Sequence, residues 1–409
     1  MSNTSPHVAV LSVHTSPIDQ PGIGDSGGMN VSIRAVSERL AEEGVEVDVF
    51  TRCRGGDDHE TKELREGIRV ISIKAGPCSL VPKADLPRFL PEFLGGVIRN
   101  ARAEDRGYDI VHSHYWLSGW VGRAAKEIWG APLVTSFHTL GKVKNYSLAR
   151  GEAPEPTVRL DGEQRVIAAA DRILAPTPLE AGQLVGLYRA NPDKIRVVPP
   201  GVDHTIFTPR SREAARRRLH FTGLRLALYV GRIQPHKGPD VAVRILAEAV
   251  ARDPAATAHL QLAIVGGPSG GDAEVVRLME LARALGVADR LIMFPPQAQA
   301  RLADFYAAAD VVLMPSRSES FGLVALEAGA VGTPVVAAAV GGLRTVVKDG
   351  VTGFLVEGHD PGDHAERTLQ ILRDARLASS LGERAARQAL RFTWDVTTEA
   401  VLGVYRELV

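Results

Sequence analysis

Two glutamates with seven residues between them bound the stretch Glu319-Ser320-Phe321-Gly322-Leu323-Val324-Ala325-Leu326-Glu327. A strand ending near Pro315, a loop carrying Glu319 and a helix starting near Gly322 put Glu327 about two turns beyond Glu319. Both carboxylates can then face one ligand. Acids beside a helix N-terminus suit a hydroxyl-rich ligand such as a sugar or a ribose; the plainer alternative is a capping acid plus a surface acid. Upstream lies Gly231-Arg232-Ile233-Gln234-Pro235-His236-Lys237-Gly238. Arg232 and Lys237 on such a loop can grip two adjacent phosphates without a metal, unless the stretch is simply a solvated basic turn. No Asp-x-Asp occurs anywhere in the chain, so cations of the protein are expected to neutralise a diphosphate. The glycine-rich Val265-Gly266-Gly267-Pro268-Ser269-Gly270-Gly271 lacks the Lys-Ser/Thr of a phosphate loop and gives no support to kinase chemistry.

Near the N-terminus, Gly22-Ile23-Gly24-Asp25-Ser26-Gly27-Gly28-Met29-Asn30 contains a literal Gly-x-Gly-x-x-Gly, with Asp48 downstream. A dinucleotide fingerprint needs its first glycine directly after the strand. Here His14 to Pro21 intervene, and Asp48 lies inside a strand. The preferred reading is a glycine loop leading into a helix N-terminus that favours an anion; a purely structural loop is the alternative. His112-Ser113-His114-Tyr115-Trp116 ends another strand. Its two histidines point to one face, but no third ligand stands at useful spacing, so polar contact with a sugar or phosphate is preferred to zinc. His138-Thr139 ends a further strand, with Lys144-Asn145 soon after.

These motifs follow strands. Apolar runs at 8–13, 45–50, 70–73, 108–113, 132–137 and 172–176 read as strands, with helical spacing over 31–43 and near 119–129. The alternation pauses at 197–203. It restarts with strands at 224–230, 261–265, 291–294, 311–314, 334–338 and 353–356 and helices at 241–251, 274–285, near 302–308 and near 322–330. Alternating strands and helices predict parallel sheets covered on both faces. The expected division is 1–200, 201–390 and a tail, 391–409, with an amphipathic helix that could pack on either half.

Composition agrees. The chain has 409 residues, too many for one ordinary core, and 48 Lys+Arg balance 48 Asp+Glu. That balance disfavours nucleic-acid binding. The start, Met1-Ser2-Asn3-Thr4-Ser5-Pro6, lacks the order of a signal peptide, and no apolar run is long enough to span a membrane. Cys53 and Cys78 are too few to staple the chain and lack metal-ligand spacing. A reduced, cytoplasmic compartment is the expected default, and the two cysteines have no assigned role.

At these motifs the sequence resembles the retaining GT-B glycosyltransferases of the GT4 class, through Glu319, Glu327, Arg232 and Lys237. It resembles in particular the D-inositol-3-phosphate glycosyltransferase subfamily. That likeness is carried by His14-Thr15-Ser16-Pro17, Gly24-Asp25-Ser26-Gly27-Gly28-Met29-Asn30-Val31 and His112-Ser113-His114-Tyr115-Trp116-Leu117-Ser118-Gly119. Lys144-Asn145, Glu155-Pro156 and Glu163-Gln164 extend it. The resemblance implies an α/β fold of the GT-B type, two doubly wound Rossmann-like domains facing across a cleft, with the tail helix returning to the first. It implies transfer of N-acetylglucosamine from UDP-N-acetylglucosamine to 1D-myo-inositol 3-phosphate, the step that opens mycothiol biosynthesis in actinobacteria. It implies a cytoplasmic homodimer that requires no cofactor, with magnesium optional.

Carried over by position, Lys83, Tyr115, Thr139 and Arg159 match residues holding the acceptor phosphate, and Asp25, Ser26, Gly27, Gly28, Met29 and Asn30 match the inositol-facing loop. His14, Gln20, Pro21, Gly28 and Gln297 match donor contacts. Arg232 and Lys237 match the diphosphate clamp, Glu319 the sugar contact and Glu327 the ribose contact; Arg232, Lys237, Glu319 and His138 form the expected catalytic set. The sequence departs from the subfamily at the base loop, Pro295-Pro296-Gln297-Ala298-Gln299, and at Trp120, Thr135-Ser136-Phe137 and Ala307. These departures fit an alternative: a paralogue in natural-product assembly, for example S-glycosylation in a lincosamide pathway with a GDP-sugar donor.

Overall fold

A computed structural model describes residues 6–55, 61–149, 151–268 and 271–409. The polar start Met1-Ser2-Asn3-Thr4-Ser5 and Ser269-Gly270 of the glycine-rich stretch lie outside the described residues.

The first sheet is built from β1 (His7–Leu11), β2 (Glu46–Arg52), β3 (Lys62–Arg65), β4 (Ile68–Ile73), β5 (Ile110–His114), β6 (Leu133–Ser136), β7 (Arg172–Ala175) and β8 (Ile195–Val197). Its order is β3-β4-β2-β1-β5-β6-β7-β8, and every pairing is parallel except β3 with β4. Parallel strands covered on both faces must be apolar throughout. Val8, Ala9, Val10 and Leu11 are each no more than 2% exposed. The second sheet comprises β9 (Arg225–Val230), β10 (Leu260–Val265), β11 (Leu291–Phe294), β12 (Val311–Met314), β13 (Val335–Ala338) and β14 (Gly353–Val356). Its order is β11-β10-β9-β12-β13-β14, all parallel. Each sheet carries a separate apolar core on each face.

The chain crosses between the sheets twice, after β8 and again before the last helix. The crossings touch at the Val202–Thr393 bridge. A Cβ on Gly201 would lie 2.3 Å from the Thr393 carbonyl carbon, so this close approach requires glycine. The last helix, Trp394–Arg406, lies on the first sheet, with Val401, Leu402, Val404 and Tyr405 in its core. Tyr405 Oη is 2.7 Å from His112 Nδ1, and Thr397 Oγ1 donates to the Pro199 carbonyl at 2.8 Å.

The cysteines correct an expectation. Cys53 follows β2, Cys78 lies in the loop after β4, and β2 pairs with β4, so the two meet. Their Cα atoms are 5.1 Å apart and they form a disulfide across a sequence separation of 25. A pair distant in sequence can thus become adjacent through sheet pairing alone. No helix among the described residues is long and apolar enough to cross a membrane.

Candidate active site

Ligands of doubly wound sheets bind beyond the carboxyl ends of the strands, where the strand order reverses. In the first sheet that point lies between β1 and β5, in the second between β9 and β12. Three loops and one strand-to-helix junction therefore converge: 12–27 after β1, the junction at His114 and Tyr115, Gly231 to Lys237 after β9, and Pro315 to Gly322 after β12. They bound one cavity of about 580 Å³.

The loop after β1 is held by two side chains, the partly exposed Asp19 and the buried Asn30. The Asp19 carboxylate accepts from Ser16 N (2.9 Å), Ser26 Oγ (3.2 Å) and Thr15 Oγ1 (3.3 Å), and pairs with the Arg54 guanidinium. Asn30, 1% exposed, accepts from Gly27 N at 3.0 Å and donates to Thr15 Oγ1 at 2.6 Å and to the Ser16 carbonyl. It does not reach the cavity wall. The expectation that Asn30 faces the acceptor is corrected: its amide is occupied in bending the loop. Asn30→Ala leaves buried partners unpaired, at about 1–3 kcal/mol. We expect a lower melting temperature and a rise in both donor and acceptor KM, read by thermal unfolding and steady-state kinetics.

On the first-sheet side of the cavity, Lys83 Nζ lies 2.7 Å from Asp25 Oδ1. Tyr115 opens the helix Tyr115–Trp129 with φ +74°, directly after β5, so no loop separates strand from helix. That turn sets the phenol ring between Lys83 Nζ (5.6 Å from the ring centre) and the Arg159 guanidinium (5.1 Å). Arg159 bonds Glu163 (2.8 Å), Glu155 (2.9 Å) and both oxygens of Thr139 (3.0 and 3.1 Å). Glu163, fully buried, also accepts from Gly141 N and Tyr188 Oη. Burial pulls the Lys83 ammonium down, although Asp25 opposes this. These groups form a compact pocket in which the two cations, Lys83 and Arg159, are each paired with carboxylates.

On the second-sheet side, Lys237 Nζ bonds Glu319 Oε2 at 2.8 Å and Arg232 Nη1 lies 3.5 Å from Asp25 Oδ1. Asp25 therefore sits between the Lys83 and Arg232 cations and links the two halves of the cavity. A Cβ on Gly341 would fall 1.8 Å from the Glu319 carbonyl oxygen, and Gly342 N donates to that oxygen at 2.9 Å. Two glycines in tight contact thus fix the turn that presents Glu319. The helix Leu323–Val331 starts beyond it. Its Glu327 accepts from Tyr306 Oη at 2.7 Å, and burial lifts its carboxyl to about 7 against that bond. Glu319 and Glu327 both reach the cavity wall.

His14, Pro21, Asp25, Ser26, Gly27, Gly28, Met29, Lys83, Tyr115, His138, Thr139, Arg159, Arg232, Lys237 and Gln297 line the same cavity. Gln20 does not; its amide donates to the Gln297 carbonyl at 2.9 Å, across the two halves. His14 Nδ1 is buried and unpartnered, and burial, then Lys83, holds the ring far below its usual pKa. His138 has φ +61° and its Nε2 is 2.8 Å from His114 Nδ1. Burial lowers the His138 ring to about 4 and, with help from His138, the His112 ring to about 3. His112 is tied to Tyr405 and Ser136 (3.0 Å), joining sheet to tail helix, and like His114 it borders the cavity. Sequence reasoning missed Asp19, Arg54, Tyr188 and Tyr306, which hold the loops and carboxylates from behind and lie in no recognisable motif. It also gave no role to the Ser320 hydroxyl, which donates to the His138 carbonyl across the cleft.

Two families match the chain in tandem: "Glycosyl transferase 4-like domain" over residues 27–201 and "Glycosyl transferases group 1" over residues 211–388. The D-inositol 3-phosphate glycosyltransferase of Acidothermus cellulolyticus is 51% identical over 99% of this chain and 91% of its own length. That of Actinosynnema mirum is 52% identical over 97% of this chain and 96% of its own. Among solved structures, sucrose-phosphate synthase (tll1590) from Thermosynechococcus elongatus superposes with a TM-score of 0.91 at 32% identity, covering 98% of this chain and 99% of that one. WaaG, a glycosyltransferase of lipopolysaccharide biosynthesis, superposes with a TM-score of 0.74 at 18% identity, covering 97% of this chain and 99% of that one.

Proposed function

The chain belongs to the glycosyl transferases group 1 family, and from that premise we propose that this GT-B glycosyltransferase moves N-acetylglucosamine from UDP-N-acetylglucosamine to 1D-myo-inositol 3-phosphate with retention of anomeric configuration. One observation carries the reading. The cavity holds two separate cationic sets, Lys83 with Arg159 and Arg232 with Lys237, and Asp25 sits between them. Two sets suit two phosphate-bearing substrates. The first, with Tyr115 and Thr139, suits a compact phosphate monoester. The second, beside the N-terminus of the helix Leu323–Val331, suits a diphosphate. The names of the half-identical relatives support the acceptor.

In this mechanism the acceptor phosphate displaces Asp25 from Lys83, and the donor diphosphate displaces it from Arg232. The acceptor hydroxyl then lies between the glycine loop and the sugar held by Glu319. It attacks the anomeric carbon from the face the diphosphate leaves, and a phosphate oxygen of the departing group takes its proton. Arg232 and Lys237 stabilise the charge that grows on that group. Glu327 receives the ribose hydroxyls, and His138, neutral at pH 7, faces the sugar. The two sets close over a cavity from which water is excluded, which protects the donor from hydrolysis. The family resemblance supports a cytoplasmic homodimer.

Mass-spectrometric analysis of products from UDP- and GDP-sugars with inositol 3-phosphate tests the assignment. The expected product is N-acetylglucosaminyl inositol phosphate from the UDP donor alone. The Pro295-Pro296-Gln297 loop favours one competing outcome, transfer from a GDP-sugar to a non-phosphorylated acceptor, and that result would replace this reading. Because two protein cations meet the diphosphate, EDTA is expected to change kcat by less than about twofold. A loss of about tenfold or more (~1.4 kcal/mol), restored by magnesium, would assign that charge to a metal instead.

A further inference from the structure

His138 borders the cleft in a left-handed backbone conformation, φ +61°, that few non-glycine residues adopt. Such a turn costs free energy and persists where its neighbours over-determine it. Two neighbours do so, one from each half. From the first half, His114 Nδ1 lies 2.8 Å from His138 Nε2, and the two rings stack 25° from parallel with centres 5.1 Å apart. Two ring nitrogens at that distance share one proton, so the contact orients the His138 ring. His114 ends β5, and His138 follows its neighbour β6, so this hold lies within one half and does not depend on closure of the cleft. From the second half, the Ser320 hydroxyl donates to the His138 carbonyl.

Ser320 directly follows Glu319, whose carboxylate bonds Lys237 at 2.8 Å. The turn that carries both is packed against glycine backbone. A Cβ on Gly342 would lie 2.4 Å from the Ser320 carbonyl oxygen and 2.3 Å from Phe321 Cα. With the turn fixed in this way, the Ser320 hydroxyl cannot meet His138 without also bringing Glu319 to a set distance from it. Glu319 and His138 both line the main cavity, one from each half. We propose that Ser320 is a positioning residue: its bond to the His138 carbonyl sets the spacing between Glu319 and His138, and with it the width of the site that receives the sugar. This inference rests on the reading of the cleft as a sugar site given above.

The walls of that site then reach their working distance only in the closed cleft. When the cleft opens, His138 keeps His114 but loses Ser320, and Glu319 withdraws with its turn. A misplacement of about 1 Å at reacting groups costs on the order of 10²-fold in rate. The acceptor side is held separately. Thr139, the next residue, is bonded by Arg159 at 3.0 and 3.1 Å, and Arg159 is fixed by Glu163 and Glu155. Acceptor KM therefore serves as an internal control. Each sheet has its own apolar cores, so a single bond across the cleft is not needed to fold either half.

The test compares the full-length wild type, Ser320→Ala and Ser320→Thr. Threonine keeps the hydroxyl, and the small cavity of about 240 Å³ that Ser320 also borders has room for the added methyl. Amide hydrogen exchange over residues 137–140 of the unliganded protein reads the contact without any substrate. Exchange there is expected to quicken in Ser320→Ala and to match the wild type in Ser320→Thr, with little change in melting temperature. In kinetics, Ser320→Ala is expected to lose about 10–10²-fold in kcat, to keep a near-normal acceptor KM and to spend a larger share of donor on hydrolysis. Ser320→Thr is expected to restore kcat. Wild-type exchange in Ser320→Ala, or faster exchange with normal kcat, would overturn the proposal, as would equal losses in the two variants. If the wild type itself does not turn over the substrates named above, that assignment fails, and the exchange difference between the two variants still decides whether Ser320 holds the His138 turn.

Discussion

In the proposed mechanism Lys237→Ala is expected to lower kcat by about 10²–10³-fold, the cost of removing one donor that acts on transition-state charge (about 2.7–4 kcal/mol). Its fold stays intact. Lys237 ends the turn after β9, with its side chain 23% exposed and bonded to Glu319 at 2.8 Å. A pair that opens onto a wet cleft contributes little to stability, about 1 kcal/mol or less, so the melting temperature is expected to move only slightly. The effect on the reaction is expected to be larger because, in the proposed mechanism, charge grows on the leaving diphosphate as the glycosidic bond breaks and Lys237 and Arg232 are the cations assigned to meet it. The variant also leaves the Glu319 carboxylate unpaired beside an anionic donor. Repulsion in the ground state would raise donor KM, whereas loss of transition-state stabilisation lowers kcat at saturating donor. Steady-state kinetics separate the two, and near-normal kcat in the folded variant would remove Lys237 from the catalytic set.

Much of this site was readable because its chemistry sits in loops that follow apolar strands. The runs before His14, His112, Arg232 and Glu319 are buried on both faces, so each reads as a strand, and the strand order brings their ends together. What was not readable depended on contacts distant in sequence. β3 reads Lys-Glu-Leu-Arg, an edge strand with no apolar run to reveal it. The side on which the last helix docks is set by Tyr405 meeting His112 and by Glu407 pairing with Arg172 and Arg196, three partners far upstream. Lys83 opens a 3-10 turn, Lys83–Phe89, with no motif of its own; only resemblance pointed to it. Asn30 and Gln20 have side chains able to touch a ligand, and the fold engages them in shaping loops instead. Residue type and spacing thus located the loops, but not the direction in which each amide points.

Arg159→Met is expected to raise acceptor KM by about 10²-fold or more, the scale of losing a charged hydrogen-bonding partner (about 2–5 kcal/mol), while leaving donor KM near its normal value. Arg159 is 5% exposed and Glu163 is fully buried, so the substitution also leaves a buried carboxylate with one cation fewer. Breaking such a pair costs about 3–5 kcal/mol, so the variant should unfold well below the wild-type temperature and be assayed below its own transition. The two consequences have different origins. Arg159 meets Glu163, Glu155 and both oxygens of Thr139, four acceptors for a fork of five N–H groups. That leaves one N–H without an acceptor in a guanidinium that borders the cavity beside Tyr115. The stability loss comes from the four inner contacts, and the acceptor effect from the fifth N–H and the charge behind it. Slow hydrolysis of the donor, which needs no acceptor, discriminates between them: it persists in Arg159→Met if the residue acts on the acceptor. If hydrolysis and transfer fall together and donor KM rises in step with acceptor KM, Arg159 is a structural pillar alone. Arg159→Lys sharpens the comparison. It keeps the charge but cannot reproduce the fork, so acceptor KM should fall between wild type and Arg159→Met while the Thr139 turn loosens.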